Sequence, residues 1–425
     1  MKRSTFLKGA LATLGAFTPA AKFYAADDYD ENPAIPSPVK SVIFIMMTGG
    51  MSHVDTFDPR SNLTPFGLVN SSIPGVQVTE ALRSTARELN RAALIRSTWS
   101  EDGDHGLAQF LIQTAYRQPQ ANGFPDIPSM GAVISHVKRK KDEASYFPGH
   151  VTMGERGGLI GAGGFLGARN GGFHISNLDN AISNMKPSWG NFGAERLVRR
   201  GQMLEMLNEK FKARYASSQY TLWQQMSEAA LEFVNSSRLA VFDLKQERPD
   251  IRARFGDNWF GKACLMAKRL AQAEVPFIQI TKGGWDTHDN NRGRVSEYMK
   301  EVDPALAALL GELGSSGLLS QTLVVLTSEF GRTPNVAGRD GRDHWPSVWT
   351  TLIAGGKIPG GTVIGDSGAK AEKPVRDPVH WRGAAATIYK AAGVDPEALL
   401  KNSMGRPLRL VAQGNNEPVR ALVGD

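Results

Sequence analysis

The sequence predicts an α/β protein with a mostly parallel central sheet flanked by helices. Three runs, 42–47, 275–280 and 323–326, have the length and largely apolar composition of strands buried on both faces, and only Gln279 interrupts them. Segments with helical spacing, 259–272 and 295–313, directly precede the second and third runs. Because helix and strand alternate along the chain, we expect most strands to run parallel in one sheet.

The bulk composition is that of a soluble globular protein. The 425 residues are 41% hydrophobic and 21% charged, with a formal net charge of +7. Basic residues are dispersed, and the short basic run 138–141 is followed at once by acidic residues. Without a basic stripe interleaved with aromatic residues, nucleic acid is not expected as a partner. The single cysteine, Cys264, excludes an internal disulfide and is expected to be a buried apolar side chain on a helix.

The amino terminus has the pattern of an export signal. Lys2 and Arg3 precede a short apolar stretch at 11–17, and small residues follow between 20 and 26. Residues 3–8 resemble a twin-arginine signal in which Ser4 replaces the second arginine, so both that route and general secretion stay open. The apolar stretch is too short to span a membrane comfortably.

This pattern predicts a periplasmic or otherwise exported protein with no stable membrane span after signal removal. The expected organisation is an export signal at 1–26, a linker at 27–40, and one α/β domain at 41–425 with a helical insertion at about 190–258. The sequence leaves the oligomeric state open.

The remaining elements are predicted from periodicity and turn residues. Residues 154–172 are rich in glycine, but their spacing does not fit a phosphate-binding loop, so we expect a mobile loop beside the site. The expected strands are 41–47, 92–95, 150–153, 275–280, 323–326, 349–353 and 362–364, and the expected helices are 80–91, 107–116, 128–141, 195–234, 259–272, 295–313 and 379–392.

Histidines and carboxylates follow the three apolar runs where each strand is expected to end. In open α/β sheets, ligands bind beyond the carboxyl ends of the strands, so these residues are interpreted as one site. Imidazole and carboxylate groups suit Zn²⁺, Mn²⁺, Mg²⁺ or Ca²⁺, and the sequence does not choose among these divalent metals. The candidate metal ligands are His53, Asp55, Asp286, His288, Glu329, Asp343 and His344.

Two further residues are candidates for contact with an anionic substrate. Arg332 has a fixed fork of donors that suits an anionic oxygen. His105 stands just before a predicted helix, whose free N–H groups could hold an anion.

Four separated motifs, GGMSHVDTFDP, GGWDTHDNN, TSEFGRTP and GRDHWP, occur in this order between about residues 42 and 394. In these motifs the chain resembles the DUF1501 proteins, an uncharacterised group of exported bacterial proteins within the alkaline-phosphatase and sulfatase superfamily. The resemblance implies an alkaline-phosphatase-like fold, one or two divalent metals at strand ends, and an anionic phosphate or sulfate ester as substrate. By this resemblance, Asp286, His288 and His344 match metal-ligand positions best.

The chain departs from the superfamily pattern at several positions. Thr48-Gly49-Gly50 stands where the first strand usually ends in a metal-binding aspartate, and Glu329-Phe330 stands in place of an Asp-His pair. The zone that matches the nucleophile contains Ser97, Thr98 and Ser100, and Cys264 lacks a formylglycine context. A metal-activated hydroxyl and a metal-bound hydroxide both stay open as nucleophile.

Two functions follow from these patterns. One is an exported metal-dependent hydrolase of phosphate or sulfate esters. The other is a catalytically degenerate member that acts as an exported binding or assembly protein.

Overall fold

The computed structural model describes residues 33–118, 126–139, 147–155, 162–181, 199, 203, 233, 237–402 and 404–424. The expected export signal, and most of the helical segment predicted at 195–234, lie outside these described residues. None of the helices in the described stretches combines the length and apolar character needed to cross a membrane.

Fifteen strands and seven α-helices are formed within the described residues. The strands are β1 Ser41–Met47, β2 Leu68–Asn70, β3 Gln77–Thr79, β4 Ala92–Trp99, β5 His150–Gly154, β6 Phe173–Ile175, β7 Phe277–Lys282, β8 Thr322–Ser328, β9 Gly331–Arg332, β10 His344–Trp345, β11 Trp349–Ala354, β12 Thr362–Ile364, β13 Val379–His380, β14 Leu399–Lys401 and β15 Pro407–Arg409. The helices are α1 His105–Thr114, α2 Met130–Lys138, α3 Pro249–Phe255, α4 Trp259–Gln272, α5 Asn291–Ser315, α6 Trp381–Ala392 and α7 Arg420–Val423.

A nine-stranded sheet organises the domain. Its order is β12-β4-β11-β8-β1-β7-β5-β6, and β13 pairs with the outer part of β4. The central strand β1 is parallel to both neighbours, with Val42 opposite Phe277 and Ser41 opposite Thr322. Only β11 runs antiparallel to its neighbours, β4 and β8. The predicted mixed α/β fold with a mostly parallel sheet is therefore confirmed, and the carboxyl ends of β7, β1 and β8 meet at one edge.

Both faces of the sheet are covered, which explains the continuous apolar runs in the sequence. Ile43, Ile45 and Met47 of β1 belong to one buried cluster with residues of α4 and α5. The alternate residues Val42, Phe44 and Met46 belong to a second cluster with residues of α2 and α6. Each large apolar side chain buried in this way contributes about 1.5–3 kcal/mol, so β1 is fixed between two layers of helices.

The segment predicted as a helix at 80–91 is two 3₁₀ turns, Glu80–Leu82 and Thr85–Arg91. The reason is a tertiary contact. The Asp303 carboxylate of α5 accepts the backbone N–H groups of Ser84 and Thr85 at 2.9 and 2.7 Å. These N–H groups are bonded across the interface instead of to a preceding turn, which interrupts a continuous α-helix at this point.

Strand β4 is longer than predicted. The expected strand at 92–95 continues to Trp99, because Thr98 pairs with Trp349 on one side and with Val379 on the other. Ser97 and Thr98 therefore lie inside a buried strand, whereas Ser100 follows it directly.

Candidate metal centre

Three neighbouring strand ends and one short hairpin bring the candidate residues together. The segments after β1, β7 and β8 lie side by side because those strands are adjacent in the sheet. Strands β9 and β10 then pair antiparallel, with His344 opposite Arg332. The pairing of His344 with Arg332, 12 residues earlier in the chain, thus places His344 at the same edge of the sheet as Asp286.

Gly49 permits the close approach of two of these segments. Its φ is +103°, and a Cβ atom placed there would lie 2.5 Å from the backbone nitrogen of Asp286. Only glycine combines that backbone conformation with that proximity. The Thr48-Gly49-Gly50 segment therefore serves as a spacer that lets the Asp286 backbone pack against β1.

Three imidazoles surround the Asp286 carboxylate. His288 Nε2 and His344 Nε2 lie 3.0 and 3.2 Å from Asp286 Oδ1. His105 Nε2 lies 3.5 Å from the other oxygen, Oδ2. His105, Asp286 and His344 form a set whose ligand atoms all lie within 4.8 Å of one another. Four donor groups from three separate parts of the chain therefore converge.

The opposite nitrogen of each imidazole is held by an acceptor. His344 Nδ1 donates to the Gly103 carbonyl at 2.7 Å, and His288 Nδ1 donates to Asp343 at 2.9 Å. His105 Nδ1 donates to the fully buried Glu329 carboxylate at 2.5 Å. An imidazole that donates through Nδ1 presents its lone pair at Nε2, and metal-binding histidines are usually fixed in this way.

The resulting arrangement fits a metal ion. His288 Nε2 and His344 Nε2 are 3.0 Å apart. Contact at that distance is favourable when one nitrogen carries a proton or when a cation lies between the two lone pairs. Ligands about 2.0–2.1 Å from a tetrahedral ion lie roughly 3.3 Å apart, close to the separations of these donor atoms. Three imidazoles with one carboxylate suit Zn²⁺ better than Mg²⁺ or Ca²⁺.

Arg332 is fully buried and connects the Asp286 carboxylate to the backbone of the surrounding segments. Its guanidinium donates to the carbonyls of Gly49, Gly50 and Arg342 and to Asp286 Oδ1. Burial alone would raise the pKa of Asp286, but the hydrogen bond and charge of Arg332, with smaller effects of nearby histidines, lower it to about 2. The prediction that Arg332 clamps an anionic substrate is not matched by this geometry, because its donors already have partners within the protein.

Glu329 lies below the cluster with no exposure to solvent. Its Oε1 accepts the Gly49 N–H at 2.8 Å as well as the His105 Nδ1–H. Its Oε2 is buried and has no hydrogen-bond partner among the described residues. Glu329 and Asp343, both predicted as metal ligands, thus each hold an imidazole, and Glu329 keeps one oxygen uncommitted.

Asp55 and His53 are not brought into the cluster. Both oxygens of Asp55 are bonded to Arg342, at 2.7 and 3.0 Å, and neither side chain is exposed. His53 Nε2 donates to the Ala371 carbonyl at 2.9 Å, and burial lowers the pKa of His53. Asp55 and His53 follow β1 as predicted, but both side chains are buried and bond to Arg342 and to the Ala371 carbonyl instead of joining the cluster.

The three predicted hydroxyl nucleophiles lie along β4 and just beyond it. Ser97 Oγ donates to the Asp377 carbonyl at 2.6 Å, and Thr98 Oγ1 bonds to Thr351 Oγ1 at 3.1 Å. Ser100 is buried, and its hydroxyl has no hydrogen-bond partner within the part of the chain that the structure describes. None of the three has a hydrogen bond to the residues around Asp286 among the described side chains. His105, predicted as an anion-binding residue, is the residue of this region that reaches the cluster.

Sequence reasoning missed two contributors to the site. The Gly103 carbonyl fixes His344, and no feature of the sequence signals a backbone acceptor. Phe330 packs its ring against His344 and His105, with centroids 4.6 and 5.2 Å apart. The sequence feature that could have indicated Phe330 is its position directly after Glu329, at the end of a strand.

The chain was compared with protein-family models, curated proteins and solved structures, and the family model agrees with the resemblance noted in the sequence. No curated protein matches the chain significantly. The crystal structure of Ps i-CgsB is similar at 11% identity and a TM-score of 0.41, over 85% of this chain and 72% of that one. The phosphonate monoester hydrolase SpPMH from Silicibacter pomeroyi is similar at 11% identity and a TM-score of 0.35, over 84% and 74%.

A protein in the alkaline phosphatase superfamily from Vibrio parahaemolyticus is similar at 11% identity and a TM-score of 0.34, over 87% of this chain and 70% of that one. The profile of the family described as a protein of unknown function, DUF1501, matches residues 39–423. The chain therefore belongs to the DUF1501 family.

Proposed function

We propose that the protein is a metal-dependent hydrolase of phosphate or sulfate esters, with its centre at Asp286. One observation supports this most directly. Three imidazoles, each held through Nδ1 by an acceptor, turn their Nε2 atoms toward one carboxylate. The Nε2 atoms of His288 and His344 also lie 3.0 Å apart, so one divalent ion could accept the lone pairs of both.

In this proposal the ligand atoms come from Asp286, His288, His344 and His105. A divalent ion supplies Lewis-acid polarisation of an ester oxygen and activation of water at neutral pH. Arg332 keeps Asp286 ionised and oriented toward the ion. The acceptors on Nδ1 fix the tautomer of each imidazole, so the site is preorganised before a substrate arrives.

We propose water as the nucleophile. The Ser97 and Thr98 hydroxyls are engaged with Asp377 and Thr351, inside a strand that pairs on both sides. Moving either hydroxyl to the Asp286 cluster would break that strand. Substituting Ser97 by alanine should therefore leave turnover intact.

The test begins with the metal content of the purified protein after exposure to Zn²⁺ and dialysis. We expect bound metal in the parent, and a large loss in His344→Ala and in His288→Ala. His174→Ala is the matched control, because His174 lies in β6 at the outer end of the sheet and contacts Thr152 in β5. Hydrolysis of 4-nitrophenyl phosphate and 4-nitrophenyl sulfate is measured on the same samples. A parent that retains no metal would overturn the proposal.

The second candidate, an exported binding or assembly protein, is favoured by a specific observation. The donors of Arg332 are bonded within the protein, and two of the three predicted hydroxyl nucleophiles, Ser97 and Thr98, are engaged elsewhere. Metal binding without hydrolysis of either ester would favour this alternative.

A further inference from the structure

We infer that Glu101 and His380 are positioning residues of the metal centre, which hold the Gly103 carbonyl and His105 in place. Both act through the loop 100–104 and not as ligands. This inference rests on the proposed function, since it concerns the affinity of the same centre for its ion.

The loop 100–104 joins β4 to α1 and supplies two groups to the centre. Its Gly103 carbonyl accepts the Nδ1–H of His344 at 2.7 Å. His105 follows the loop as the first residue of α1. Gly103 also packs closely against the imidazole, because a Cβ atom placed on it would lie 4.0 Å from the His344 Cβ. A displacement of this loop therefore moves a histidine and the acceptor of a second histidine together.

The loop has no regular secondary structure, so its position depends on the groups that anchor it. The Ser100 N–H donates to the Pro346 carbonyl at 2.9 Å. The Asp102 carboxylate accepts two hydrogen bonds from Arg117, at 2.8 and 3.0 Å. Arg117 follows α1 directly, so this ion pair joins the loop to the segment beyond its own helix.

The hydrogen bond between Glu101 and His380 joins the loop to a different part of the fold. His380 belongs to β13, which pairs with β4, and it caps α6. Its Nδ1 accepts the Arg382 N–H at 3.1 Å, so its proton resides on Nε2, 3.0 Å from Glu101 Oε2. The His380 side chain is 1% exposed and packs edge-on against Trp99, with centroids 4.8 Å apart. A buried donor with a fixed tautomer is a rigid anchor for the loop.

Two substitutions break this hydrogen bond in different ways. Glu101→Ala removes the acceptor from a side chain that is 35% exposed. His380→Asn keeps a side chain that can cap α6 by accepting the Arg382 N–H, but that side chain is too short to reach Glu101. Glu101→Gln is the rescue variant, because its amide oxygen still accepts the Nε2–H of His380.

The Zn²⁺ affinity of the purified protein is measured by competition with a chromophoric chelator. The visible absorption spectrum of the protein loaded with Co²⁺ reports the ligand geometry, which a loss of fold stability alone would not change. Glu312→Gln is the matched control, because Glu312 is a buried carboxylate on α5 whose ion-pair partners Arg254 and Lys268 lie on α3 and α4.

We expect the Zn²⁺ affinity to fall by about tenfold in Glu101→Ala and in His380→Asn, the lower end of the range for groups that orient metal-binding histidines. The Co²⁺ spectrum should change in both variants. The double variant should lose no more affinity than either single variant, because both remove the same hydrogen bond. Glu101→Gln should keep most of the affinity of the parent, and Glu312→Gln should keep both its affinity and its spectrum.

The outcomes separate the two proposals. Unchanged affinity in the two single variants, additive losses in the double variant, an equal loss in Glu312→Gln, or an equal loss in Glu101→Gln and Glu101→Ala would each overturn the inference and leave the hydrolase proposal standing. Failure of the parent to bind any metal would overturn the proposed function, and this inference with it.

Discussion

Replacing Asp55 with alanine should destabilise the fold strongly without changing the number of metal ions bound. Asp55 accepts two hydrogen bonds from Arg342 and one each from Asn291, Ser52 and Thr64, at 2.7–3.0 Å. Neither partner of the Asp55–Arg342 ion pair is exposed. Removal of the carboxylate leaves a buried guanidinium uncompensated, which costs about 3–5 kcal/mol.

The assay is guanidinium chloride unfolding followed by circular dichroism at pH 7, with a chelator present so that bound metal does not contribute. Asp250→Ala is the control, since its pair with Arg248 is exposed to solvent and contributes little to stability. The double change Asp55→Ala with Arg342→Met should cost less than the sum of the two single changes, because it removes the stranded charge. A loss below about 1 kcal/mol, or a loss of bound metal at unchanged stability, would refute the assignment of Asp55 as a structural residue.

Three further outcomes are expected. Gly49→Ala should lower both the free energy of unfolding and the metal affinity. Gly317 also has a positive φ but nothing within 4 Å of its Cβ position, so Gly317→Ala should cost only about 1 kcal/mol of stability and leave metal binding unchanged. Equal effects of the two substitutions would contradict this prediction. Because the pKa of Asp286 is lowered to about 2, its ionised form stabilises the fold at pH values above the ordinary pKa of a carboxyl group. This contribution to stability is lost as the pH falls toward 2. The free-energy difference between parent and Asp286→Asn should therefore shrink between pH 5 and 2, and a constant difference would count against it. Mass spectrometry of exported protein should find a mature chain beginning between about residues 20 and 30, and an intact Met1 would exclude signal cleavage.

The sheet and the residues of the candidate site could be predicted from the sequence, but the contacts among those residues could not. The runs 42–47 and 323–326 are apolar at every position because helices cover both faces of the sheet, so a local sequence pattern was enough to predict these strands. Asp286 and His288 follow β7 directly, and strand-end position was enough to nominate them.

The rest of the site depends on contacts that no local pattern contains. The carboxylates of Asp55 and Glu329 look alike beside their strands, but their partners lie 287 and 224 residues away. The strand predicted at 92–95 ends before the polar residue Thr98, whereas β4 includes it. The hydroxyl of Thr351 across the sheet satisfies it and lets β4 continue.

The position of β1 at the centre of the sheet has a consequence for synthesis of the chain. This strand is made early, yet both of its partners, Phe277–Lys282 and Thr322–Ser328, are made in the second half of the chain. Until the ribosome has passed the second of them, a seven-residue apolar segment has two unpaired edges. Such a segment is prone to aggregation, so the nascent chain should need protection by a chaperone until β8 has emerged. Truncated chains that end before β8 are expected to accumulate in insoluble form.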